Sequence, residues 1–332
     1  MSALLLSRAE VERLLTPELC IGAVEDAFRI LAAGKVPPPG ILGMHAADGG
    51  FHVKAGFLAL DRPYFAAKLN ANFPRNGERH GLPTIQGAVL LSDASNGTPL
   101  ALMDSMSITA LRTAAATAVA AQRLARAQCE TALIVGCGGQ AGAQLRALFA
   151  VRSLRRVLAF DRDPAKASAL AAALRDEQAV RVEPVRDLAP AARESDIIVT
   201  CTTSTRYFLT RDMVRPGTFV GAVGADSEDK QEIEPALMAA AKVVTDVTAQ
   251  AASIGDLHHA LAAGTMSLQR VHAELGELVS GAKSGRADDE EITIFDSTGT
   301  GLQDVAAAIA VYRKAVEAGA GMPFDFSGRK SA

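Results

Sequence analysis

The stretch at residues 131–141, TALIVGCGGQA, decides the fold, because an apolar strand runs directly into a glycine turn that opens a helix. Gly136 permits the tight turn, and Gly138 lets backbone N–H groups approach a pyrophosphate. Ala141 lets the helix and the strand pack closely. A glycine-rich turn can also be a plain strand-to-helix connection, but a GxGxxA turn in this setting predicts a dinucleotide-binding site.

A carboxylate follows the turn near the distance that ribose binding requires. Asp161 ends the next predicted strand, 25 positions after Gly136, and the usual offset of the ribose-binding acid is roughly 20 residues. Asp161 favours NAD(H) because a carboxylate repels a 2′-phosphate, whereas the neighbouring Arg162 could pair with one. The alternative role for Asp161 is a helix N-cap, although Asp163 fits that position better. The sequence therefore predicts NAD(H) rather than NADP(H) as the cofactor.

The pattern on either side of the turn predicts two kinds of sheet. From residue 131 onwards, strand-like and helix-like segments alternate, which is typical of a doubly wound parallel sheet. Residues 8–33 have helical periodicity, and short strands follow from residue 41 to residue 103, with a hairpin turn at Asn96 and Gly97. Helices are predicted at 107–126 and at about 302–318. We expect an α/β protein in which a Rossmann doubly wound parallel sheet is joined to an α+β domain with a mostly antiparallel sheet.

Length and composition limit the function classes. A chain of 332 residues is expected to form two domains, at 1–112 plus 305–332 and at 113–304. With 49% hydrophobic residues, 21% charged residues and a net charge of −3, neither disorder nor a nucleic-acid partner is expected. No apolar run is long enough for a membrane span. The four scattered cysteines, the histidine spacing and the N-terminal sequence favour a cytoplasmic protein without a structural metal.

Three cations stand in apolar surroundings. Lys54 and Lys68 each interrupt an apolar strand, and a lysine there is costly unless it reaches water, a partner or an anionic ligand. Arg112 lies among small residues in ITALRTAAATA, where a guanidinium would suit a carboxylate. A solvated strand face for the lysines and a helix-surface salt bridge for Arg112 are the alternatives. The pattern makes all three candidates for binding an acidic substrate.

Two loops that follow predicted strands complete the set of candidates. Asp226 comes two residues after Gly224, and a carboxylate there could move a proton to or from a substrate nitrogen or a water. An Asx turn or a cap is its alternative role. The small polar residues of IFDSTGTGLQD, at 294–304, could cradle a ring or a phosphate, or form an ordinary loop.

Six motifs in one order resemble the ornithine cyclodeaminase/mu-crystallin family over nearly the whole chain. They are KLNANFPRN (68–76), GLPTIQG (81–87), TALRTAAATA (109–118), GCGGQ (136–140), VGADSEDKQEI (223–233) and ELGELVSG (274–281). The resemblance implies a homodimer with a dimerisation and substrate domain and a Rossmann domain. It also implies hydride exchange at the α carbon of a small amino or imino acid.

The resemblance also assigns roles to individual residues. Lys68 and Arg112 match positions that face the substrate carboxylate, Thr84 lies in the matching pocket segment, and Asp226 matches the acid/base aspartate. The cofactor-binding set that it implies is Thr113, Gly136, Gly138, Gly139, Gln140, Ala141, Asp161, Arg162 and Gly224. One departure concerns residues 37–50, which lack the further arginine that cyclodeaminases offer to the carboxylate; Lys54 or His52 could take its place.

Three functions are compatible with these residues. The first is an NAD(P)H-dependent reductase or dehydrogenase that acts on the carbon–nitrogen bond of a small 2-imino or cyclic imino acid. The second is an ornithine cyclodeaminase that forms proline and ammonia with catalytic NAD+, although the missing arginine argues against ornithine. The third is a non-catalytic, crystallin-like ligand-binding protein, against which the presence of Asp226 argues.

Overall fold

The computed structural model describes residues 2–175 and 180–326, and the chain divides into two compact units. The first unit comprises Met1–Arg112 and Thr300–Ala332, and the second comprises Thr113–Gly299. Residues 327–332, which belong to the expected range 305–332 of the first domain, lie outside the described residues.

The strands and helices are numbered in chain order. The strands are β1 (Ala3–Leu6), β2 (Gly40–Ala46), β3 (Gly49–Ala59), β4 (Pro63–Asn72), β5 (Ile85–Asp93), β6 (Pro99–Asp104), β7 (Thr131–Val135), β8 (Arg156–Phe160), β9 (Arg181–Pro184), β10 (Ile197–Thr200), β11 (Thr205–Leu209), β12 (Phe219–Ala222), β13 (Gln231–Ile233), β14 (Lys242–Thr245), β15 (Ala273–Glu274), β16 (Thr293–Asp296) and β17 (Met322–Phe324). The α-helices are α1 (Arg8–Leu14), α2 (Pro17–Ala32), α3 (Asn76–His80), α4 (Ser105–Leu124), α5 (Ala141–Phe149), α6 (Pro164–Leu174), α7 (Leu188–Glu194), α8 (Pro235–Ala240), α9 (Thr248–Ile254), α10 (Asp256–Ala262), α11 (Leu275–Ser280) and α12 (Gly301–Ala318).

The first unit is a seven-stranded sheet covered on one face by helices. Its strand order is β17-β1-β6-β5-β4-β3-β2, and every neighbouring pair is antiparallel except β1 and β6. Helix α12 packs on β3 and β4, and its first residue must be small, because a Cβ on Gly301 would lie 2.4 Å from the carbonyl oxygen of Ala55. This close approach brings the start of α12 against the middle of β3.

The opposite face of this sheet is apolar and exposed. Directly paired residues on neighbouring antiparallel strands share a face, so the pairs Phe57–Phe65, Ala67–Leu90 and Leu90–Leu102 lie on one side. Leu69 lies on this side too, since it is two residues from Ala67. We call this side the outer face. Its large side chains with more than a third of their surface exposed are Leu42, Met44, Phe51, Phe57, Leu69, Leu90 and Leu102.

The second unit is a doubly wound sheet of eight parallel strands. Their order is β15-β14-β16-β12-β10-β7-β8-β9, and each neighbouring pair is parallel. The central strands are apolar runs buried on both faces, as a parallel sheet between helices requires. Strand order reverses between β7 and β10, which places the ligand crevice of this fold at the carboxyl ends of those two strands. Both parts of the predicted fold class are confirmed.

Local chemistry explains where the predicted elements differ. The predicted helix at 8–33 is two helices, because Leu15 adopts an extended conformation and Thr16 caps a new helix that begins at Pro17. The hairpin turn at Asn96 and Gly97 is present, with Gly97 at φ +78°. Strands β1 and β17 were not predicted, because each has at most four residues and gains its partners only from distant parts of the chain.

Candidate active site

In the first unit, Lys68 and Arg112 meet a carboxylate that sequence analysis did not single out. Asp304 Oδ1 accepts hydrogen bonds from Lys68 Nζ and from Arg112 Nε, each at 2.9 Å. Strand β4 carries the lysine, α4 the arginine and α12 the aspartate, and all three side chains are at least 95% buried. We call these three residues the charge cluster. Lys68 is therefore not on a solvated strand face, and the salt bridge of Arg112 is buried and not on a helix surface.

The charge cluster has an excess of positive charge. Lys54 lies directly across from Lys68 on β3, is itself buried, and acts electrostatically on both Lys68 and Asp304. Burial and the positive charge of Arg112 lower the pKa of Lys68 to about 7, although Asp304 opposes this shift. Burial raises the pKa of Asp304, but Arg112 and Lys68 outweigh it and hold that pKa below its ordinary value. Lys68 and Arg112 therefore share one carboxylate, with Lys54 nearby, which leaves net positive charge in the cluster for an anionic ligand.

Two polar atoms, one in the charge cluster and one beside it, lack a partner among the described residues. Arg112 Nη1 donates to Gln303 Oε1 at 2.7 Å, which fixes the plane of the guanidinium. The other amide atom, Gln303 Nε2, and the second oxygen of Asp304 are buried, and no described group bonds to either. A buried donor or acceptor without a partner costs about 1–3 kcal/mol. A ligand with both an acidic group and an N–H group would satisfy the two.

Sequence analysis placed Gln303 and Asp304 at the start of the helix predicted at about 302–318 but did not single them out. The signal was present, since they are adjacent polar residues at the start of a helix that continues as VAAAIAV. Residues of the loop before them also have hydrogen-bond partners. Asp246 accepts hydrogen bonds from Thr298 Oγ1 and the Gly299 amide.

Thr84 is not brought to the charge cluster. It is exposed in the loop before β5, and its carbonyl oxygen accepts a hydrogen bond from the Phe73 amide. Lys68 pairs with Val89, five residues further along, so Thr84 is about 16 Å away along the strand. A role for Thr84 in the pocket stays a prediction.

In the second unit, the glycine turn has the shape that a pyrophosphate needs. Gly136 has φ +94°, and a Cβ there would lie 2.8 Å from Thr202 Cγ2 and 2.9 Å from the carbonyl oxygen of Cys201. At Gly138 and Gly139, by contrast, a Cβ would meet no atom within 4 Å. No side-chain hydrogen bond caps helix α5, whose N-cap position is Gln140. The open glycines and the uncapped helix N-terminus fit a dinucleotide phosphate.

Asp161 holds the turn from the neighbouring strand. Its Oδ2 accepts a hydrogen bond from the Cys137 amide at 2.8 Å, and its Oδ1 accepts one from the Asp163 amide at 2.9 Å. Each carboxylate oxygen can accept a second hydrogen bond, so a ribose hydroxyl can still be bound. Asp163 caps α6 through the Ala165 amide, as the sequence indicated. Arg162 is exposed beside it.

Asp226 lies in the loop after β12 and is half exposed. Its Oδ1 is 2.6 Å from Lys230 Nζ, a partner that sequence analysis missed. The Lys230 carbonyl is in turn 2.9 Å from His259 Nε2, and His258 Nδ1 is 3.2 Å from the carbonyl of Ala252. Both histidine rings therefore bind backbone carbonyl groups.

The three remaining cofactor candidates are buried in the second unit. Thr113 is buried on α4, where its carbonyl accepts a hydrogen bond from Thr117 Oγ1. Ala141 is fully buried at the start of α5 and donates its amide to the Gly138 carbonyl. Gly224 must be glycine, because a Cβ would lie 2.4 Å from the carboxyl carbon of Glu232.

A Rossmann unit with an open glycine turn, in one chain with a buried excess of cations, defines an oxidoreductase that uses a nicotinamide dinucleotide. Over residues 1–319 the chain matches the ornithine cyclodeaminase/mu-crystallin family, and it belongs to that family.

Solved structures of three dehydrogenases or reductases are similar to this chain. An archaeal alanine dehydrogenase dimer with bound NAD is 36% identical, with a TM-score of 0.93, over 98% of this chain and 100% of that one. The Δ1-pyrroline-2-carboxylate reductase of Thermococcus litoralis, in complex with NADH and L-proline, is 34% identical, with a TM-score of 0.91, over 96% and 99%. The iminosuccinate reductase of Paracoccus denitrificans with NAD+ is 34% identical, with a TM-score of 0.90, over 98% and 100%.

A lysine cyclodeaminase is also similar, with 30% identity, a TM-score of 0.86 and coverage of 98% and 96%. The likeness to reductases and dehydrogenases is thus the greater among these four. Among the described residues, no helix is both long and apolar enough to cross a membrane.

Proposed function

We propose that this protein is an NAD(H)-dependent reductase or dehydrogenase that interconverts a small 2-imino acid, linear or cyclic, and the corresponding amino acid. The observation that carries the proposal is the charge cluster with its two buried, unpartnered atoms. The bound nicotinamide would supply the hydride to the carbon of the C=N bond. The similar structures with NADH and L-proline or with NAD+ support this choice over other dinucleotide chemistry.

Lys68 and Arg112 bind the substrate carboxylate in this proposal. Their positive charges already converge on the Asp304 oxygen, so an acid added beside it meets cations that are aligned in advance. Gln303 Nε2 supplies a further donor to the acid, and the second oxygen of Asp304 accepts the N–H of the imine. A negative oxygen beside the nitrogen favours the protonated iminium, which is the form that accepts hydride readily.

In this proposal Asp226 transfers the proton that the substrate nitrogen gains on reduction. Reduction of an imine consumes one hydride and one proton, and the Asp226 carboxylate can take a proton from the Lys230 ammonium group or from water and pass it to the nitrogen. In the reverse direction the same carboxylate takes the proton back.

The proposed reaction can be tested with purified protein and a panel of imines. We expect loss of the reduced nicotinamide's absorbance with NADH and at least one of pyruvate plus ammonia, pyrroline-2-carboxylate or an iminodicarboxylate. Asp226→Asn should lower turnover by about 10²- to 10⁴-fold, the usual contribution of a general acid, without changing NADH affinity. Asp229→Asn, an exposed carboxylate in the same loop, is the control.

Other outcomes would select the other functions. Proline formed from ornithine at constant NAD+, with no net oxidation of NADH by any imine, would identify a cyclodeaminase. Binding of NADH without turnover of any of these compounds would leave a ligand-binding protein. Unchanged turnover in Asp226→Asn would remove Asp226 from the mechanism.

The pH dependence of KM tests the role of Lys68. Because the pKa of Lys68 is lowered to about 7, the lysine loses its charge as the pH rises through that value. We expect KM for the imino acid to rise above about pH 7. Asp304→Asn should shift this rise to lower pH, since Asp304 is the group that raises the pKa of Lys68. Identical KM profiles for the two proteins would contradict the assignment.

The cofactor preference rests on Asp161. We propose NAD(H) rather than NADP(H), because the Asp161 carboxylate stands at the end of β8, where a 2′-phosphate would meet its charge. Asp161→Ala should weaken NADH binding relative to NADPH by about tenfold, as loss of a charge-assisted hydrogen bond predicts. The ratio is the informative quantity, because loss of the bond to the Cys137 amide affects both nucleotides.

Asp163→Ala is the matched control for this measurement. It removes the cap of α6, at a cost of about 1 kcal/mol in stability, but leaves the carboxylate of Asp161 in place. We expect its NADH/NADPH ratio to equal that of the unaltered protein. An unchanged ratio in Asp161→Ala would overturn the preference for NAD(H).

We also propose that the protein is a homodimer through the outer face of the first unit. An apolar sheet face of this extent is unfavourable in water, and the similar archaeal alanine dehydrogenase is a dimer. Leu69→Glu, at a central position on β4, should give a monomer in size-exclusion chromatography with light scattering. Leu268→Glu, at an equally exposed position in the second unit, should not change the mass. A dimer that survives Leu69→Glu would place the interface elsewhere.

A further inference from the structure

Glu232 is a fully buried carboxylate in the second unit that the proposed mechanism does not use. Its Oε1 accepts hydrogen bonds from the Thr202 amide at 2.6 Å and from Thr202 Oγ1 at 2.7 Å. Its Oε2 accepts one from Thr200 Oγ1 at 2.6 Å and one from the Gly224 amide at 2.8 Å. One side chain thus joins the end of β10 to the loop after β12.

These four hydrogen bonds fit a carboxylate better than an amide. Two of the donors are backbone amides, which cannot rotate, and one binds each oxygen of Glu232. A glutamine would set its NH2 group against either the Thr202 amide or the Gly224 amide. An aspartate is one methylene too short to reach both. Burial raises the pKa of Glu232 above its ordinary value, and the hydrogen bonds from Thr200, Thr202 and Gly224 oppose this rise.

The position of Glu232 is fixed from behind by a second buried acid. Asp256 Oδ1 accepts hydrogen bonds from the amides of Glu232 and Ile233 at 2.8 and 2.9 Å. The short strand β13 is therefore held at both its backbone and its side chain. Through Glu232, the fixed strand β13 holds two loops at the carboxyl edge of the sheet, one at Thr202 and one at Gly224.

Those loops border the nicotinamide half of the dinucleotide site. Asp161 follows β8, so the half of the sheet from β7 to β9 takes the adenosine ribose, and the half that begins at β10 takes the nicotinamide. Thr202 also packs against the glycine turn, since a Cβ on Gly136 would lie 2.8 Å from its Cγ2. Glu232 thus touches both the wall of the crevice at Thr202 and the start of the segment that leads to Asp226.

We propose that Glu232 is a positioning residue of the nucleotide site: its carboxylate sets the spacing of the Thr202 and Gly224 loops and thereby orders the nicotinamide half of the crevice. The link to Asp226 rests on the proposed function, but the link to nucleotide binding does not. Glu232 acts through the two loops and does not itself contact the substrate.

The test is NADH affinity of the Glu232→Gln protein. The sequence has no tryptophan, so binding is followed by calorimetry or by the fluorescence of NADH itself. We expect Kd for NADH to rise at least about tenfold, the effect of one lost hydrogen bond to a charged acceptor. With an imino acid as substrate, kcat should fall while its KM stays within about twofold, because Lys68 and Arg112 belong to the first unit.

A nearby carboxylate provides the control. Glu234→Gln alters a side chain two residues away that accepts a hydrogen bond from the Arg211 amide and borders neither loop. Its Kd and kcat should match those of the unaltered protein. If Glu232→Gln lowers the melting temperature but leaves the Kd for NADH and the kcat of the folded protein unchanged, Glu232 is only structural and the proposal is wrong.

If Glu232→Gln does not fold, the Thr200→Val variant tests whether the hydrogen bonds of Glu232 affect the Kd for NADH. It removes one donor to Oε2 with little change in side-chain volume, and we expect a twofold to fivefold rise in the Kd for NADH from the loss of about 0.5–1 kcal/mol. An unchanged Kd in a folded Thr200→Val protein would overturn the proposal. If the unaltered protein binds NADH but reduces no imine, the proposed reaction fails while the Kd comparison still tests Glu232.

Discussion

The carboxylate oxygen that Lys68 and Arg112 share is the interaction on which the first unit depends. Asp304 lies 236 residues after Lys68 and 192 after Arg112, so this single atom joins a strand, a helix and the last helix of the fold. Burying charges is unfavourable unless their partners are well placed. Removal of the Asp304 carboxylate would leave two buried cations facing each other, with Lys54 beside them. The same excess of positive charge, which is costly in the folded protein, would attract the acidic ligand of the proposed function.

The two units neutralise buried charge in different ways. In the first, cations and a carboxylate meet directly. In the second, the buried carboxylates are bound mainly by backbone amides: Asp296 accepts hydrogen bonds from the amides of Asp256 and Leu257. Burial raises the pKa of Asp296 to about 7, and Asp256 beside it has a pKa far above its ordinary value, also mainly because of burial. Several loops at the carboxyl edge of the parallel sheet are therefore fixed by buried acids.

Sequence alone was sufficient for features whose cause is local. The glycine turn, the alternating strands and the cap at Asp163 depend on neighbouring residues, and the structure has them where the pattern placed them. Lys68 and Arg112 were recognisable because a cation in an apolar segment needs an explanation. Asp304 and Glu232 were not, since an acid in the first turn of a helix or in a short strand has many ordinary uses. Only the fold shows that each is buried and which distant groups it binds.

The order in which the chain is made bears on how it folds. The second unit is one continuous segment, Thr113–Gly299, whereas the first is built from both ends of the chain. Helix α12 covers the inner face of the sheet, so the strands from β1 to β6 must wait through nearly 200 intervening residues for their core. During synthesis the nucleotide-binding unit can fold first, while the emerging sheet still has both faces uncovered. Until Gly301–Ala318 has been synthesised, the sheet therefore lacks the helix that packs on β3 and β4.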